Sequence, residues 1–586
     1  MSISSNYIKK FKIQFNLVTF LILTLQMGSC AKEPNLPAGE IHSVQTPVDG
    51  IRIAWDYRSL TKIAPLDSRT GYFGYARMIQ LFDGRLACVY ETSTGNIELV
   101  FSTNLGESWG NKQIVFETKN NIAMAVPEIV ELSDHSVLVA CNPRPREPYT
   151  EDRRFGIKVR KSMDGGLTWE KEQIIYQAQS TFENGCWEPS MIQLPGGEVQ
   201  LFFANEGIYT TSSEQNISMF RSADLGNSWT GEPEIIGFRK DRRDGMPVPL
   251  LLKEKGELLI TVEDNKIGEF KPTVYREKLA GIWSDGTILA ADPRREYAPF
   301  TVPLAENIYA GAPYLERLQS GEVILSYQTN LQRDISWNKS AMMVEISDEN
   351  GRNFSRRSVP FAMPLSKSGL WNSMCVIGGN TLVAITSTDA FSSTSTEVWM
   401  IKGHVIPEFH IPVGTALTDG SLNDACWQNE WPYFVGHTSR KQLVATLCKD
   451  EKNLYVAVKI DGLTSDDLNK TADEFFFLLD TERKSYKAPY TGIFAFRVKS
   501  DGSVTMQLGL NGLWIQDKSG AQIKVGQSLK GSLHIVELAI PLSILPEGFG
   551  QNKTVGINFV LQTTVAEPIT STIQDQPFTW TRAFLP

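Results

Sequence analysis

Carboxylates end or begin several strand-like runs of this sequence, and two of them have surroundings suited to proton transfer. Glu188 lies in a Cys-Trp-Glu-Pro segment (186–189), where the tryptophan and the proline would exclude water and raise the pKa of the acid. Glu263 ends an Ile-Thr-Val-Glu segment (260–263). Cleavage of a glycosidic bond needs one protonated and one ionised carboxyl group, so we predict Glu188 as acid/base and Glu263 as nucleophile or base. The alternatives are a loop-capping Glu188 and a Glu263 that faces solvent at a strand end.

Other polar residues occupy comparable places in the chain. Runs begin near Arg77, Glu128, Glu188, Asp244 and Tyr314, and the following runs end near Glu91, Asn142, Glu206, Glu263 and Gln328. An arginine at such a place can fork onto a carboxylate or a hydroxyl. From this set we predict five substrate-binding residues: Arg77, Glu128, Asp244, Tyr314 and Gln328. Turn roles remain equally good explanations for Glu128 and Asp244.

Metal and cofactor chemistry finds little support in the sequence. The six histidines, at 42, 135, 404, 410, 437 and 534, form no H-E-x-x-H motif and no pair at metal-ligand spacing. Glycine-rich phosphate or dinucleotide loops are missing as well. We therefore expect no metal in the site and no obligatory cofactor, although structural calcium remains compatible with the sequence.

Length and charge narrow the class of protein. The 586 residues exceed one ordinary domain, and 42% hydrophobic residues with 10% aromatic residues are typical of a globular protein. Lys and Arg number 57 against 66 Asp and Glu, which gives a net charge of −9. This sign disfavours broad neutralisation of phosphates, so nucleic acid is not expected as a partner.

The first thirty residues read as a targeting signal. Three lysines (9, 10 and 12) precede an apolar run at 17–25 that is too short to span a membrane, and a Met-Gly-Ser-Cys segment (27–30) follows. The segment resembles a bacterial lipoprotein signal, which implies that Cys30 is lipidated and that the protein is exported to the periplasm or the cell surface. A simple secretory signal is the alternative. The only membrane contact expected is the lipid, and residues 31–45 are predicted to be a linker.

An internal repeat sets the expected fold. The pattern S-x-[D/N/E]-x-G-x-x-[W/F] begins at Ser102, Ser162, Ser222 and Ser347; 60 residues separate the first three starts and 125 the last two. Each copy predicts a turn whose acidic or amide side chain bonds backbone amides, whose glycine has a positive φ and whose aromatic residue packs between hairpins. With six strand-like units in step, the sequence predicts an all-β chain with a six-bladed β-propeller at 46–404.

With these turns and units the sequence resembles the sialidase-fold glycoside hydrolases, in which the turn is called the Asp box or BNR repeat. Four segments make it most similar to glycoside hydrolase family 93, the exo-arabinanases: Trp-Glu-Pro at 187–189, Arg-Asp-Gly-Met-Pro at 243–247, Ala-Pro-Tyr at 312–314 and Tyr-Gln-Thr at 327–329. The resemblance implies a retaining enzyme with two catalytic glutamates, which we assign to Glu188 and Glu263.

The pattern changes after residue 404. Following a proline-containing linker (405–412), the segment 419–427 and the strand-like runs at 453–460 and 474–480 resemble carbohydrate-binding modules of family 9, which are β-sandwiches. The resemblance implies a sugar-binding sandwich at 413–586. Trp427 is expected in its core. Trp431 and Trp514 have more polar surroundings and are predicted as secondary sugar-binding residues, with partial burial as the alternative.

We thus predict a monomeric, lipid-anchored, exo-acting glycoside hydrolase that cleaves a polysaccharide or glycan. One alternative is an exo-α-sialidase, which needs several arginines for the substrate carboxylate and a tyrosine nucleophile. Arg77 matches the position of that family's first arginine, but Ala-Arg-Met-Ile (76–79) departs from the usual Arg-Ile-Pro. The remaining arginines stay open among Arg242, Arg243, Arg276 and Arg333. The other alternative is a glycan-binding lipoprotein without catalytic activity.

Overall fold

The computed structural model describes residues 53–586 apart from 334–335, 362, 393–394, 406–408, 429–430, 437–441, 462–473, 485, 550, 552, 563–568 and 571–574. Cys30 and the predicted signal and linker segments lie outside these residues. The described residues form β-strands and short 3-10 helices, with no α-helix among them. The 3-10 helices are Phe182–Asn184, Lys253–Lys255, Trp337–Lys339, Ala425–Gln428, Lys518–Gln522, Leu542–Ile544 and Pro577–Thr579. The all-β prediction is thereby confirmed.

Between residues 53 and 405 the described strands form six four-stranded antiparallel sheets, here numbered I to VI. Strand β1 (Ile53–Ala64) precedes them in the chain. Sheets I to III are β2 (Phe73–Gln80), β3 (Leu86–Thr92), β4 (Ile97–Ser102), β5 (Gly110–Phe116); β6 (Ile122–Glu131), β7 (Val137–Pro145), β8 (Gly156–Ser162), β9 (Gln173–Gln177); and β10 (Cys186–Gln193), β11 (Val199–Asn205), β12 (Asn216–Ser222), β13 (Glu234–Gly237).

The same arrangement continues in the next three sheets. They are β14 (Asp244–Leu252), β15 (Glu257–Asp264), β16 (Lys271–Lys278), β17 (Arg295–Tyr297); β18 (Ala310–Arg317), β19 (Val323–Thr329), β20 (Ala341–Ser347), β21 (Ser355–Ser358); and β22 (Gly369–Ile377), β23 (Thr381–Thr388), β24 (Glu397–Val405). Sheet VI is completed by β1, which pairs with β24 and places Ile53 opposite Val405. The sheet therefore joins the two ends of this part of the chain.

The first strands of the six sheets follow one another in cyclic order. Each of β2, β6, β10, β14 and β18 packs against the next first strand, and β22 packs against β2. Second and third strands such as β4 and β19 are buried along their whole length. Near-continuous apolar runs are what such strands need, because each sheet is covered on both faces by its neighbours.

The repeated turn joins the third strand of a sheet to the fourth. In three copies, at Ser102, Ser162 and Ser222, the serine hydroxyl donates to the Asn or Asp two residues on and accepts from the glycine amide at 2.8 Å. The glycines have φ values of 80–88°. The turn geometry predicted from the sequence is thus confirmed. In the fourth copy the hydroxyl of Ser347 donates instead to the carbonyl of Asp348, and Phe354 is fully buried.

Two further sheets lie between residues 409 and 584. Their strands are β25 (Phe409–His410), β26 (Tyr433–Gly436), β27 (Gln442–Lys449), β28 (Asn453–Asp461), β29 (Glu474–Asp480), β30 (Ile493–Lys499), β31 (Val504–Leu510), β32 (Leu513–Asp517), β33 (Lys524–Lys530), β34 (Leu533–Pro541), β35 (Thr554–Gln562), β36 (Ile569–Thr570) and β37 (Thr581–Phe584). One sheet has the order β25-β37-β35-β29-β30-β31-β32, with β36 beside β35, and the other has the order β26-β27-β28-β34-β33.

The two sheets share one hydrophobic core. Side chains from both, among them Leu447, Val456 and Leu538 of one sheet and Phe477 and Phe559 of the other, belong to the same buried cluster. This is the arrangement of a sheet packed face to face on another. No described helix of the chain is long and apolar enough to cross a membrane.

Candidate active site

A β-bulge interrupts the first strand of each of sheets I–VI at an equivalent place. The register shifts there in all six ladders, and one residue takes a φ between 47° and 55°. We call these the bulge residues: Tyr75, Val126, Glu188, Met246, Ala312 and Trp371. A bulge redirects side chains, and non-glycine residues hold a positive φ only where their surroundings enforce it.

Bulge residues from different sheets meet. Tyr75, Val126, Met246 and Ala312 belong to one hydrophobic cluster, against which Trp371 packs. Glu188 is the remaining bulge residue and the one with a carboxylate, and its side chain is half-buried. The backbone that repeats around the six sheets therefore brings Glu188 to the place where the sheets converge.

A second repeated feature ties each sheet to the next. In each sheet one residue of the second strand pairs with the residue that precedes the bulge residue, and we call it the latch residue. The latch residues of sheets I to VI are, in order, Glu91, Asn142, Ala204, Glu263, Gln328 and Ser387. Four latch side chains accept a hydrogen bond from the bulge amide of the following sheet: Glu91 from Val126 at 2.7 Å, Glu263 from Ala312 at 2.9 Å, Gln328 from Trp371 at 2.8 Å and Ser387 from Tyr75 at 3.0 Å.

The latch is altered in sheets II and III. Asn142 Oδ1 accepts a hydrogen bond from Arg144 Nε at 2.7 Å, and its amide donates to the carbonyl of Gly156. Ala204 has no polar side chain, and the amide of Met246 donates instead to Glu188 Oε2 at 3.3 Å. The irregular latches therefore lie on either side of Glu188.

Glu188 and Glu263 approach the same dipeptide. Met246 donates to Glu188, and Gly245 pairs with Glu263 across the ladder between β14 and β15. A Cβ on Gly245 would lie 3.5 Å from both Cγ and Oε1 of Glu263. The glycine thus leaves room for the glutamate side chain, and the two predicted catalytic residues are brought together from sheets III and IV.

The two carboxyl groups have unequal electrostatic surroundings. Burial, followed by the negative charge of Glu263, raises the pKa of Glu188 to about 7, while Arg144 and the Met246 amide oppose this rise. Burial also raises the pKa of Glu263, which the Ala312 amide and the charge of Arg243 counteract. The charge of Glu263 therefore favours the protonated form of Glu188, as expected for neighbouring carboxyl groups.

Two arginines stand beside this pair. Arg243 forms an ion pair with Glu206 and is about one-third exposed. Glu206 also accepts a hydrogen bond from the indole of Trp187 at 3.0 Å. Arg144 lies over the ring of this indole, with its guanidinium carbon 4.9 Å from the ring centroid. Trp187 therefore contacts Arg144 directly and is linked to Arg243 through Glu206.

Aromatic side chains border the site on the side of sheets V, VI and I. Tyr75 and Trp371 stack with centroids 6.0 Å apart, Trp337 lies 6.2 Å from Trp371, and Tyr309 lies 6.3 Å from Trp337. Trp337 and Trp371 are partly exposed. Partly exposed aromatic rings thus come from sheets V and VI, whereas Glu188 and Glu263 come from sheets III and IV.

Arg77, Glu128 and Tyr314 meet two residues beyond the bulges. The guanidinium of Arg77 lies 4.3 Å from the Tyr75 ring centroid and 5.1 Å from that of Tyr314, and its Nε is 3.7 Å from Glu128. All three predicted residues are buried, Arg77 with only 5% exposure. Burial raises the pKa of Glu128 to about 7. The structure thus brings them together as a layer beneath Tyr75.

Asp244 and Gln328 have their polar atoms engaged within the protein. The carboxylate of Asp244 is buried, bonded by Arg239 and Arg295 at 2.7–3.1 Å and by the hydroxyl of Tyr275 at 2.7 Å. Gln328 is fully buried; it accepts from Trp371 as a latch residue and donates to the hydroxyl of Tyr309 at 3.0 Å. Their assignment as substrate-binding residues stays a prediction.

The two predicted secondary sugar-binding residues lie in different clusters. Trp431 packs beside Trp427, donates to its carbonyl at 3.1 Å and has Lys459 Nζ 3.8 Å from its ring centroid. Trp514 donates to Asp575 at 2.8 Å and packs on another cluster. The structure does not bring the two rings together.

Arg144, Tyr75, Trp337 and Trp371 were not among the predicted site residues. Arg144 follows Asn142 by two positions, and this period-2 spacing at a strand end was a signal that could have identified it. The three aromatic residues carry no such signal, because Tyr75 and Trp371 lie at bulges and Trp337 lies in the connection between β19 and β20. Among the described residues, no group of three or more His, Cys, Asp or Glu side chains is arranged to hold a metal ion.

No protein-family model and no curated protein sequence matches the chain. A GH93 α-L-arabinofuranosidase of Fusarium graminearum, solved with arabinobiose, aligns with 61% of this chain and 97% of its own at 17% identity and a TM-score of 0.42. A point mutant of NanB sialidase from Streptococcus pneumoniae aligns with 58% of this chain and 70% of its own at 10% identity and a TM-score of 0.41. A family 9 carbohydrate-binding module of Caldicellulosiruptor kristjanssonii, solved in complex with cellotriose, aligns with 30% of this chain and 93% of its own at 19% identity and a TM-score of 0.25. The solved structures similar to this chain thus include the families that its sequence motifs resemble.

Proposed function

We propose that this protein is an exo-acting glycoside hydrolase in which Glu188 and Glu263 are the catalytic carboxylates. One observation carries the proposal: two half-buried glutamates from neighbouring sheets converge on Gly245–Met246, and the pKa of one of them is raised to about 7. A protonated carboxyl group beside an ionised one is the requirement for hydrolysis of an acetal.

In this mechanism Glu188 donates its proton to the glycosidic oxygen as the bond from that oxygen to the anomeric carbon breaks. Ionised Glu263 either forms a bond to the anomeric carbon, which water later cleaves, or takes a proton from the attacking water. Either route consumes one water and yields two hydroxyl groups. The charge of Glu263 also keeps the proton on Glu188 until transfer, because it raises the pKa of that residue.

The proposed architecture is a six-bladed β-propeller at 46–404, formed by sheets I–VI, and a β-sandwich at 413–586 that serves as an accessory sugar-binding domain through Trp431 or Trp514. The cyclic packing of the first strands supports the propeller, and the shared core of the last two sheets supports the sandwich. The buried layer of Arg77, Glu128 and Tyr314 would form the floor of the site, and exo action remains part of the proposal.

The sialidase alternative is less well supported by the surroundings of Arg77. A sialidase needs this arginine to contact the substrate carboxylate, but Arg77 is buried, covered by Tyr75 and ion-paired to Glu128. We further propose a monomer that needs no cofactor and is exported as a lipoprotein with Cys30 as its lipidated residue. Metabolic labelling with a fatty acid, compared between wild type and Cys30→Ala, tests the last point.

The test of the function compares wild type with Glu188→Gln on a panel of aryl glycosides and oligosaccharides. We expect turnover of at least one substrate by the wild type, and loss of turnover with retained binding in the variant. Unchanged turnover would remove Glu188 from the mechanism. Binding without turnover by the wild type would show instead a glycan-binding protein.

A further inference from the structure

The guanidinium of Arg144 is held firmly but is only partly used. Arg144 is a half-buried residue at the end of β7. Its Nε donates to Asn142 Oδ1 at 2.7 Å, and its guanidinium lies over the Trp187 ring at 4.9 Å. Within the described part of the chain, Nη1 and Nη2 form neither a hydrogen bond nor an ion pair. Four N–H donors are therefore left for another molecule.

Carboxylates surround Arg144 without pairing with it. Its charge opposes the rise in pKa of both Glu91 and Glu188, and its contact with the Trp187 ring places it over the residue that precedes Glu188 in β10. No ion pair joins Arg144 to either residue within the described ranges. A half-buried cation that is not paired keeps part of its desolvation cost, and a ligand that accepts hydrogen bonds from it would offset that cost.

In sheet II the latch residue, Asn142, bonds Arg144 and not the bulge amide of the next sheet. In sheets I, IV, V and VI the latch side chain bonds the next bulge amide, whereas Asn142 turns its oxygen to Arg144. Asn142 holds Nε of Arg144, and the Trp187 ring supports the plane of its guanidinium. The two Nη atoms therefore point in a defined direction. Such preorganisation lowers the entropy lost when a ligand binds.

The charges nearby indicate what kind of oxygen Arg144 would bind. Arg243 is paired with Glu206 and Arg77 with Glu128, whereas Arg144, whose charge acts on Glu91 and Glu188, forms no ion pair within the described residues. A ligand carboxylate would be repelled by any of these glutamates that is ionised. Hydroxyl oxygens accept the same hydrogen bonds without this repulsion, and adjacent hydroxyls fit the spacing of a guanidinium fork.

We propose that Arg144 is a substrate-binding and specificity-determining residue that donates from Nη1 and Nη2 to hydroxyl oxygens of a neutral sugar held beside Glu188. This assignment rests on the proposed function for the location of the sugar. It adds the residue that distinguishes a neutral sugar from an acidic one.

The experiment measures binding separately from turnover. Saturation-transfer NMR and titration calorimetry are applied to wild type, Arg144→Lys and Arg144→Ala with neutral oligosaccharides of arabinose, xylose, glucose and galactose, and with galacturonate, glucuronate and sialyl oligosaccharides. Arg352→Ala is the matched control, because Arg352 is half-exposed in the fourth repeated turn and pairs only with Glu296 among the described residues. Thermal unfolding of every variant confirms that it is folded.

We expect a neutral oligosaccharide to bind the wild type and Arg352→Ala equally, and Arg144→Ala about ten- to a hundredfold more weakly, as for the loss of hydrogen bonds from a charged group. Arg144→Lys should recover part of the affinity, because it restores the charge but not the fork. Unchanged affinity in folded Arg144→Ala, preference for an acidic sugar, or no binding across the panel would each overturn the assignment. Binding that depends on Arg144 without any turnover would overturn only the hydrolase.

Discussion

Glu263→Gln separates the chemical role of this residue from its structural role as a latch. Glutamine retains an oxygen that can accept from Ala312, and Gln328 shows that it does so in this fold, at 2.8 Å against 2.9 Å for Glu263. We expect the free energy of unfolding to change by less than about 1 kcal/mol. Glu263→Ala removes the acceptor from a buried amide and should cost about 1–3 kcal/mol.

The same substitution should abolish most of the activity. Loss of an ionised group that acts as nucleophile or base typically costs at least a factor of about 10²–10⁴ in rate. The pKa of Glu188 should fall as well, since the charge of Glu263 helps to raise it. Residual activity of Glu263→Gln should therefore decline at a lower pH than wild-type activity does.

Glu91→Gln is the matched control. Glu91 occupies the same place in sheet I and accepts from Val126 at 2.7 Å, whereas Glu263 is the charge that most raises the pKa of Glu188. Initial rates on the best substrate of the panel and urea unfolding followed by tryptophan fluorescence provide the two measurements. Equal losses of rate in both variants, or wild-type rates in folded Glu263→Gln, would refute the reasoning.

Three further outcomes are expected. The wild-type kcat/KM should fall above about pH 7, where Glu188 loses its proton, and a pH–rate profile that is flat through this range would contradict its role as the acid. Arg77→Met should destabilise the protein by about 3–5 kcal/mol at pH 8, because it leaves Glu128 buried without its partner, and by less at pH 5, where Glu128 is protonated; urea unfolding at the two pH values measures both. Ser162→Ala should cost about 1 kcal/mol, since it removes the hydrogen bond to Gly166, while Ser213→Ala, at an exposed serine outside the repeated turns, should cost less.

The repeated turns could be predicted from the sequence because their hydrogen bonds join residues close together in the chain. The serine, the Asp or Asn two residues on and the glycine four residues on bond one another within each turn, so residue types at fixed spacing suffice to predict them. The all-β class follows from the same short period. Ser347 shows the limit, because its turn keeps the residue types but not the hydrogen bonds.

The site was harder to predict because the bulges change the register of the first strands. Arg77 and Tyr314 stand two residues after a bulge residue and contact each other, whereas Asp244 stands two residues before one and bonds Arg295. In sheet III the latch position falls on Ala204 rather than on Glu206. A bulge adds one unpaired residue, and nothing in the residue types marked where it would occur.

The pairing of β1 with β24 has a consequence for how the chain acquires its structure. Ile53 meets Val405 in one ladder, and the carboxamide of Gln442 accepts from the amide of Tyr57 in the same strand. Some 350 residues must therefore be synthesised before the sixth sheet can be completed, and contacts this remote in sequence make folding slow. Until then β1 has no partner strand, so nascent chains and chains truncated before β24 should be prone to pair β1 with other molecules and to aggregate.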